Sequence, residues 1–83
     1  MDASHNVESR VRGVLSTALA SKVDVGGLGA RDDLFDAGMT SHQTVQVMLA
    51  LEDEFDVEFP DDQLSKTTFA TISSIVSALD RLA

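Results

Sequence analysis

Apolar residues recur at steps of three and four in three separate stretches of this chain, and nowhere do apolar and polar residues alternate long enough to make a strand. That pattern restricts the fold to helices packed on helices. The first stretch runs from about Asn6 to Ser21, where Val7, Val11, Val14, Leu15, Ala18 and Leu19 form one stripe. Ser4 or Asn6 is placed to cap its start, and Gly13 inside it costs about 1 kcal/mol relative to Ala. The second runs from Ser41 to about Phe55. The third starts at about Thr71, with Ile72, Ile75, Val76, Leu79 and Leu82 at helical spacing. Pro60 ends any helix before it and pushes Phe59 towards an extended shape. Asp61 or Asp62 can then cap one short turn containing Leu64. The expectation is an all-α, four-helix bundle of three longer helices and one short one.

Between Lys22 and Thr40 the periodicity disappears. Gly26, Gly27 and Gly29 break any regular element, and Asp32 and Asp33 bring turn chemistry. So long a connection is unusual in a compact domain. It works if it spans antiparallel helix ends and is pinned by buried Leu28, Leu34 and Phe35. Gly38 is expected at positive φ or tightly packed just before the second helix. That helix holds Val45, Val47, Met48, Leu49, Leu51 and Phe55, too many for one narrow stripe. Either one or two of Val45, Val47 and Leu49 face solvent as a contact surface, or the helix buries a wide face.

Eighty-three residues make one domain at most, and a chain of this size hides only about 60% of the surface it exposes when unfolded. With no cysteine, neither a disulfide nor a Cys-ligated zinc can help hold it. The formal charge of −8 argues against nucleic-acid phosphates and anionic membranes as partners, and favours a basic patch on another protein. Ten of the acids lie between Asp32 and Asp62, a window with no Lys or Arg. No apolar run approaches the ~20 residues needed to span a bilayer. The polar start, Met1 to Asn6, lacks a signal-peptide core, so the expected location is the cytoplasm.

Ser41 stands where a glycine-containing loop meets a helix start. That end of a helix carries roughly half a positive charge and unpaired N–H donors. A serine there is either an N-cap or a place where a phosphate ester is stabilised. A nucleophile–base pair with His42 is excluded, because adjacent side chains diverge along a helix. His5 and His42 lie on separate elements without zinc-ligand spacing, and the acids do not follow a calcium-hand loop. No catalytic or metal-ligating set emerges.

The stretch Asp32 to Ser41, DDLFDAGMTS, resembles the attachment loop of acyl and peptidyl carrier proteins. The run Val45 to Pro60, VQVMLALEDEFDVEFP, resembles their second helix and the turn after it, and the likeness continues through Thr68–Phe69–Ala70–Thr71–Ile72. It covers about residues 7–82, the expected core of a single carrier domain over 1–83. The resemblance implies a non-catalytic four-helix bundle whose Ser41 is esterified with 4′-phosphopantetheine, taken from coenzyme A, by a separate phosphopantetheinyl transferase. Cargo would be held as a thioester on the thiol of that arm.

The common carrier motif has Asp before the serine and an apolar residue after it, where this chain has Thr40 and His42. Gln43 and Gln46 thin the acids further. The GMTSH run, Gly38 to His42, looks most like stand-alone bacterial aminoacyl carrier proteins, which are loaded by amino acid:carrier protein ligases related to class II aminoacyl-tRNA synthetases. That likeness implies an aminoacyl cargo, a downstream acceptor enzyme and a monomeric carrier. Partner contacts are expected at Met39, Thr40, His42, Val45, Gln46 and Leu49, with Glu52 and Asp53 from the acidic run. Two other readings stay open: a conventional fatty acid or polyketide carrier, and an unmodified acidic helical module that binds a basic partner.

Overall fold

A computed structural model describes residues 3–19 and 23–82. Three α-helices, α1 (Ala3–Leu19), α2 (Ser41–Phe55) and α3 (Ile72–Leu82), account for its regular structure together with two single 3₁₀ turns at Val25–Gly27 and Asp61–Gln63. No strand occurs among the described residues. The first helix packs against both others, and each offers the apolar row that its spacing dictates. Val11, Leu15 and Leu19 from α1, Val47 and Leu51 from α2, and Ile72, Ile75, Ala78 and Leu79 from α3 are all buried together.

The first helix starts at Ala3, which puts Ser4 and Asn6 inside it instead of at its cap. Its expected end at Ser21 lies outside the described residues. In the long connection Leu34 is fully buried, while Leu28 and Phe35 are half-buried against the core. Hydrogen bonds reinforce these pins. Leu34 N–H donates to Ala70 C=O at 2.7 Å, and Ser73 N–H donates to Ala30 C=O at 2.8 Å. The Arg12 guanidinium, not singled out by the sequence pattern, donates to Leu28 C=O at 2.8 Å and Val25 C=O at 3.4 Å while pairing with Glu8. Gly38 turns the chain into α2 with φ 119°, a conformation that a Cβ disfavours.

The short fourth element takes the form of a single 3₁₀ turn, Asp61–Gln63. Pro60 takes its N-cap position and neither Asp61 nor Asp62 caps it; Leu64 falls just after it and is largely exposed. From Ser65 to the head of α3 the chain is organised by hydroxyls instead of by a helical ladder. Ser65 Oγ accepts from Thr68 N–H at 3.4 Å, and Ser74 Oγ donates to Thr68 C=O at 2.9 Å. Thr71 and Ser74 exchange reciprocal bonds at the head of α3. Side chains that satisfy the backbone locally compete with helix formation. Phe59 and Phe69, both buried and edge-to-face at 5.3 Å, tie this segment to the end of α2.

Candidate functional site

The site is set by how α2 starts. The first four N–H groups of a helix have no partner within it. Thr40 takes the cap position in extended backbone, φ −90° and ψ 166°, and its hydroxyl accepts from Gln43 N–H at 3.1 Å. In return Gln43 Oε1 accepts from Thr40 N–H at 2.9 Å, which closes a capping box. The Thr44 hydroxyl donates to Thr40 C=O at 3.0 Å. Ser41 is therefore the first residue of the helix and not its cap. Its side chain is exposed, and among the described residues its Oγ makes no hydrogen bond. Among the same residues the N–H groups of Ser41 and His42 donate to no protein atom, so the positive end of the helix dipole faces outward beside that oxygen.

Along α2, Ser41, Val45, Leu49 and Asp53 follow one another at every fourth residue, with His42 and Gln46 on the adjoining row. All six are exposed, Val45 at 51% and Leu49 at 55%, while Val47 points into the core. The surplus of apolar residues in this helix is thus a solvent-facing strip and not a wide buried face. Two other expected contacts stand differently. Met39 is only 3% exposed and belongs to the core, its N–H bonded to Leu34 C=O, so the expectation of an exposed Met39 is overturned. Glu52 is half-buried, and its carboxylate accepts from Phe59 N–H at 2.8 Å. Its carbonyl also takes the N–H groups of Asp56 and Val57, where α2 ends with Asp56 at φ 53°. Glu52 therefore builds the turn after α2.

Other acids of the 32–62 window are also engaged. Asp32 accepts from Gly29 N–H, Asp33 from Phe35 and Asp36 N–H, and Glu54 pairs with Arg10 at 3.1 Å. Arg10 also lies 4.3 Å over the Phe55 ring. Thr40 itself is exposed, but its hydroxyl is committed to the cap.

An apolar groove of about 240 Å³ opens directly beside Ser41. Its floor and walls are Val45 and Met48 from α2, Phe35 from the long connection, and Leu64 and Phe69 from the α2–α3 connection; among the described residues Lys66 is the one cation on its rim. The Lys66 ammonium sits 4.9 Å from the centre of the Phe35 ring. Spacing alone does not bring residues 35 and 66 together. The Thr40-x-x-Gln43 capping signature, by contrast, is visible in the sequence. No group of His, Cys, Asp and Glu able to hold a metal occurs among the described residues, and none of their helices is long and apolar enough to cross a membrane.

The profile of the family described as the phosphopantetheine attachment site matches residues 9–79. An aminoacyl carrier protein of Agrobacterium fabrum (strain C58 / ATCC 33970) is 35% identical over 69 residues, 83% of this chain and 83% of that protein. A carrier protein from Agrobacterium tumefaciens, in complex with an engineered Bradyrhizobium japonicum glycine:[carrier protein] ligase and ATP, superposes with a TM-score of 0.85 at 31% identity, covering 92% of this chain and 99% of that one. The glycylated carrier protein in complex with the Bradyrhizobium japonicum ligase gives a TM-score of 0.65 at 28% identity over 93% of this chain and 99% of that one.

Three helices with an unencumbered serine at the head of the second define a carrier protein for a phosphopantetheine arm, and this chain belongs to the phosphopantetheine attachment site family. Within it, the chain is similar to aminoacyl carrier proteins and to the carrier partners of glycine:[carrier protein] ligase.

Proposed function

We propose that this chain is an aminoacyl carrier protein, modified on Ser41 by a phosphopantetheinyl transferase and loaded by an amino acid:carrier protein ligase. The observation that carries the reading is the freed Ser41 hydroxyl. Thr40 and Gln43 take over the capping that a serine at a helix start would otherwise perform, leaving an exposed Oγ at the positive end of α2. The residues present fit the group. The outward N–H groups of Ser41 and His42 suit its phosphate, and the groove beside them lies where the gem-dimethyl part of its flexible, amide-containing arm would find apolar contact.

When attached, the arm supplies the terminal thiol that holds the aminoacyl group as a thioester. The protein's own task is presentation. A tethered cargo reaches each partner at an effective concentration set by the tether, and the docking contacts must be small enough to release between stations. Val45 and Leu49 supply the apolar centre of such a contact, with Thr40, His42, Gln46 and Asp53 at its polar edge. Met39 and Glu52 act from beneath, one holding the loop before α2 and the other the turn after it. The chain performs no chemistry itself, since Ser41 and His42 diverge and no base meets the hydroxyl. The reading keeps the bundle of the family, with residues 61–71 standing where its short helix lies. A charge of −8 suits a cytoplasmic monomer that passes its cargo to an acceptor enzyme and meets neither nucleic acid nor membrane.

The test is intact-protein mass after incubation with coenzyme A and a broad-specificity phosphopantetheinyl transferase. One phosphopantetheinyl unit is expected on the parent chain and none on Ser41→Ala. Subsequent charging with free amino acids and an amino acid:carrier protein ligase separates an aminoacyl carrier from a fatty acid or polyketide carrier, which would take fatty acyl groups instead. No added mass on well-folded protein would leave an unmodified interaction module.

A further inference from the structure

We infer that Lys66 is a two-position side chain: it rests on the Phe35 ring in the unmodified protein and turns to the phosphodiester once Ser41 carries its arm. The inference rests on attachment at Ser41, as proposed above. Three observations carry it. Lys66 and Ser41 border the same groove, from opposite elements. Among the described residues Lys66 is the one cation lining the groove, and no Lys or Arg occurs in the sequence between Asp32 and Asp62 to compete with it. Among the described residues its ammonium has no carboxylate within ion-pair distance, although the chain carries fourteen acids. Its neighbour is the face of Phe35, 4.9 Å away.

That resting place is a weak one. An exposed cation over a phenyl ring gains little, whereas an ammonium that meets a phosphate oxygen makes a charge-assisted hydrogen bond of the strong class. Lysine suits the task, because its compact charge on a flexible stem can swing between two sites without a fixed hydrogen-bonding fork. The swing would draw the α2–α3 connection over the first part of the arm and set the direction in which the arm leaves the helix. It would also offset the negative charge that modification adds to a chain already at −8. Lys66 is thus a positioning residue for the arm and touches no cargo.

The chain has two lysines, Lys22 and Lys66, so side-chain NMR of ¹³C,¹⁵N-lysine protein has an internal reference. In the unmodified protein the Lys66 ε-methylene protons should resonate upfield, shielded by the Phe35 ring. On conversion to the phosphopantetheinyl form they should move downfield while those of Lys22 stay in place. The ³¹P resonance of the phosphodiester should differ between the parent and Lys66→Met and return to the parent position in Lys66→Arg. Mass spectrometry on the same samples separates the two claims. Full modification with an unmoved Lys66 signal and an unchanged ³¹P shift in Lys66→Met overturns the pairing and leaves the carrier reading standing. Absence of added mass overturns both.

Discussion

Replacing Thr40 by Ala should destabilise the protein more than replacing Ser41 by Ala, although Ser41 is the residue on which function turns. Thr40→Ala removes the hydroxyl that accepts Gln43 N–H at 3.1 Å, at an exposed helix start where only water can substitute. Loss of a Ser or Thr cap costs about 0.5–2 kcal/mol, typically near 1. For a domain of this size, about 1 kcal/mol corresponds to roughly 4–8 °C in Tm. Ser41→Ala removes a side chain that makes no hydrogen bond among the described residues and puts a good helix former at the first helical position. Its effect should stay within about 0.5 kcal/mol. Thermal melts followed by far-UV circular dichroism, with all variants unmodified, give the comparison. Gln43→Ala removes the other half of the box, and the double variant should lose less than the two singles together, as expected for groups sharing one network. If Ser41→Ala melts as low as Thr40→Ala, the serine is a cap after all. The claim that its hydroxyl is free for modification would then fail.

Two further outcomes test the docking strip and the first helix. Leu49→Gln and Val45→Gln should leave Tm almost unchanged, because both residues are more than half exposed and Gln forms helix well; each should raise the KM of the loading ligase for the carrier, while an unchanged KM in both would remove the strip from the partner surface. Gly13→Ala should raise Tm by roughly 4–8 °C, since a Cβ there meets nothing within 4 Å and Ala is about 1 kcal/mol better inside a helix. A lower Tm in that variant would show that the cost of the glycine is compensated by something other than helix propensity.

The parts of the molecule legible in the sequence are those governed by local periodicity. The helix from Ser41 to Phe55 has the bounds its sequence implies, because a helix start, an apolar row and Asp56–Pro60 all agree. Gly38 is readable as a special backbone position because the chain must turn there just before a helix start. Met39 reads as exposed because it neighbours the site, yet the turn at Gly38 directs it inward, an outcome sequence adjacency does not encode. The short fourth element goes no further than one 3₁₀ turn, Asp61–Gln63, for a different reason. Ser65, Thr68, Thr71 and Ser74 divert the backbone bonds that a helix would use, and that competition is settled by side-chain geometry. The groove and Lys66 are invisible to spacing because they join residues 35, 41 and 66, brought together only by tertiary packing.

The substitution of Thr for the usual acid before the serine also takes on a physical meaning. Asp and Thr both cap a helix, but Asp adds a charge that the helix dipole favours. Thr40 keeps the cap and drops the charge, and His42 and Gln46 likewise put polar groups without carboxylates beside Ser41. On the exposed rows of α2 the first acid after Ser41 is Asp53. On α2 itself, a partner that docks at the head of the helix therefore meets Val45, Leu49 and hydrogen-bonding groups without a carboxylate, and the exposed carboxylates of the helix come only towards its tail. Thr40→Asp separates the two properties of the cap. It should melt at or above the parent temperature, since capping is kept and the dipole is better complemented. Loading should fall if the ligase reads an uncharged helix head, and should be unaffected if Thr40 serves the fold alone.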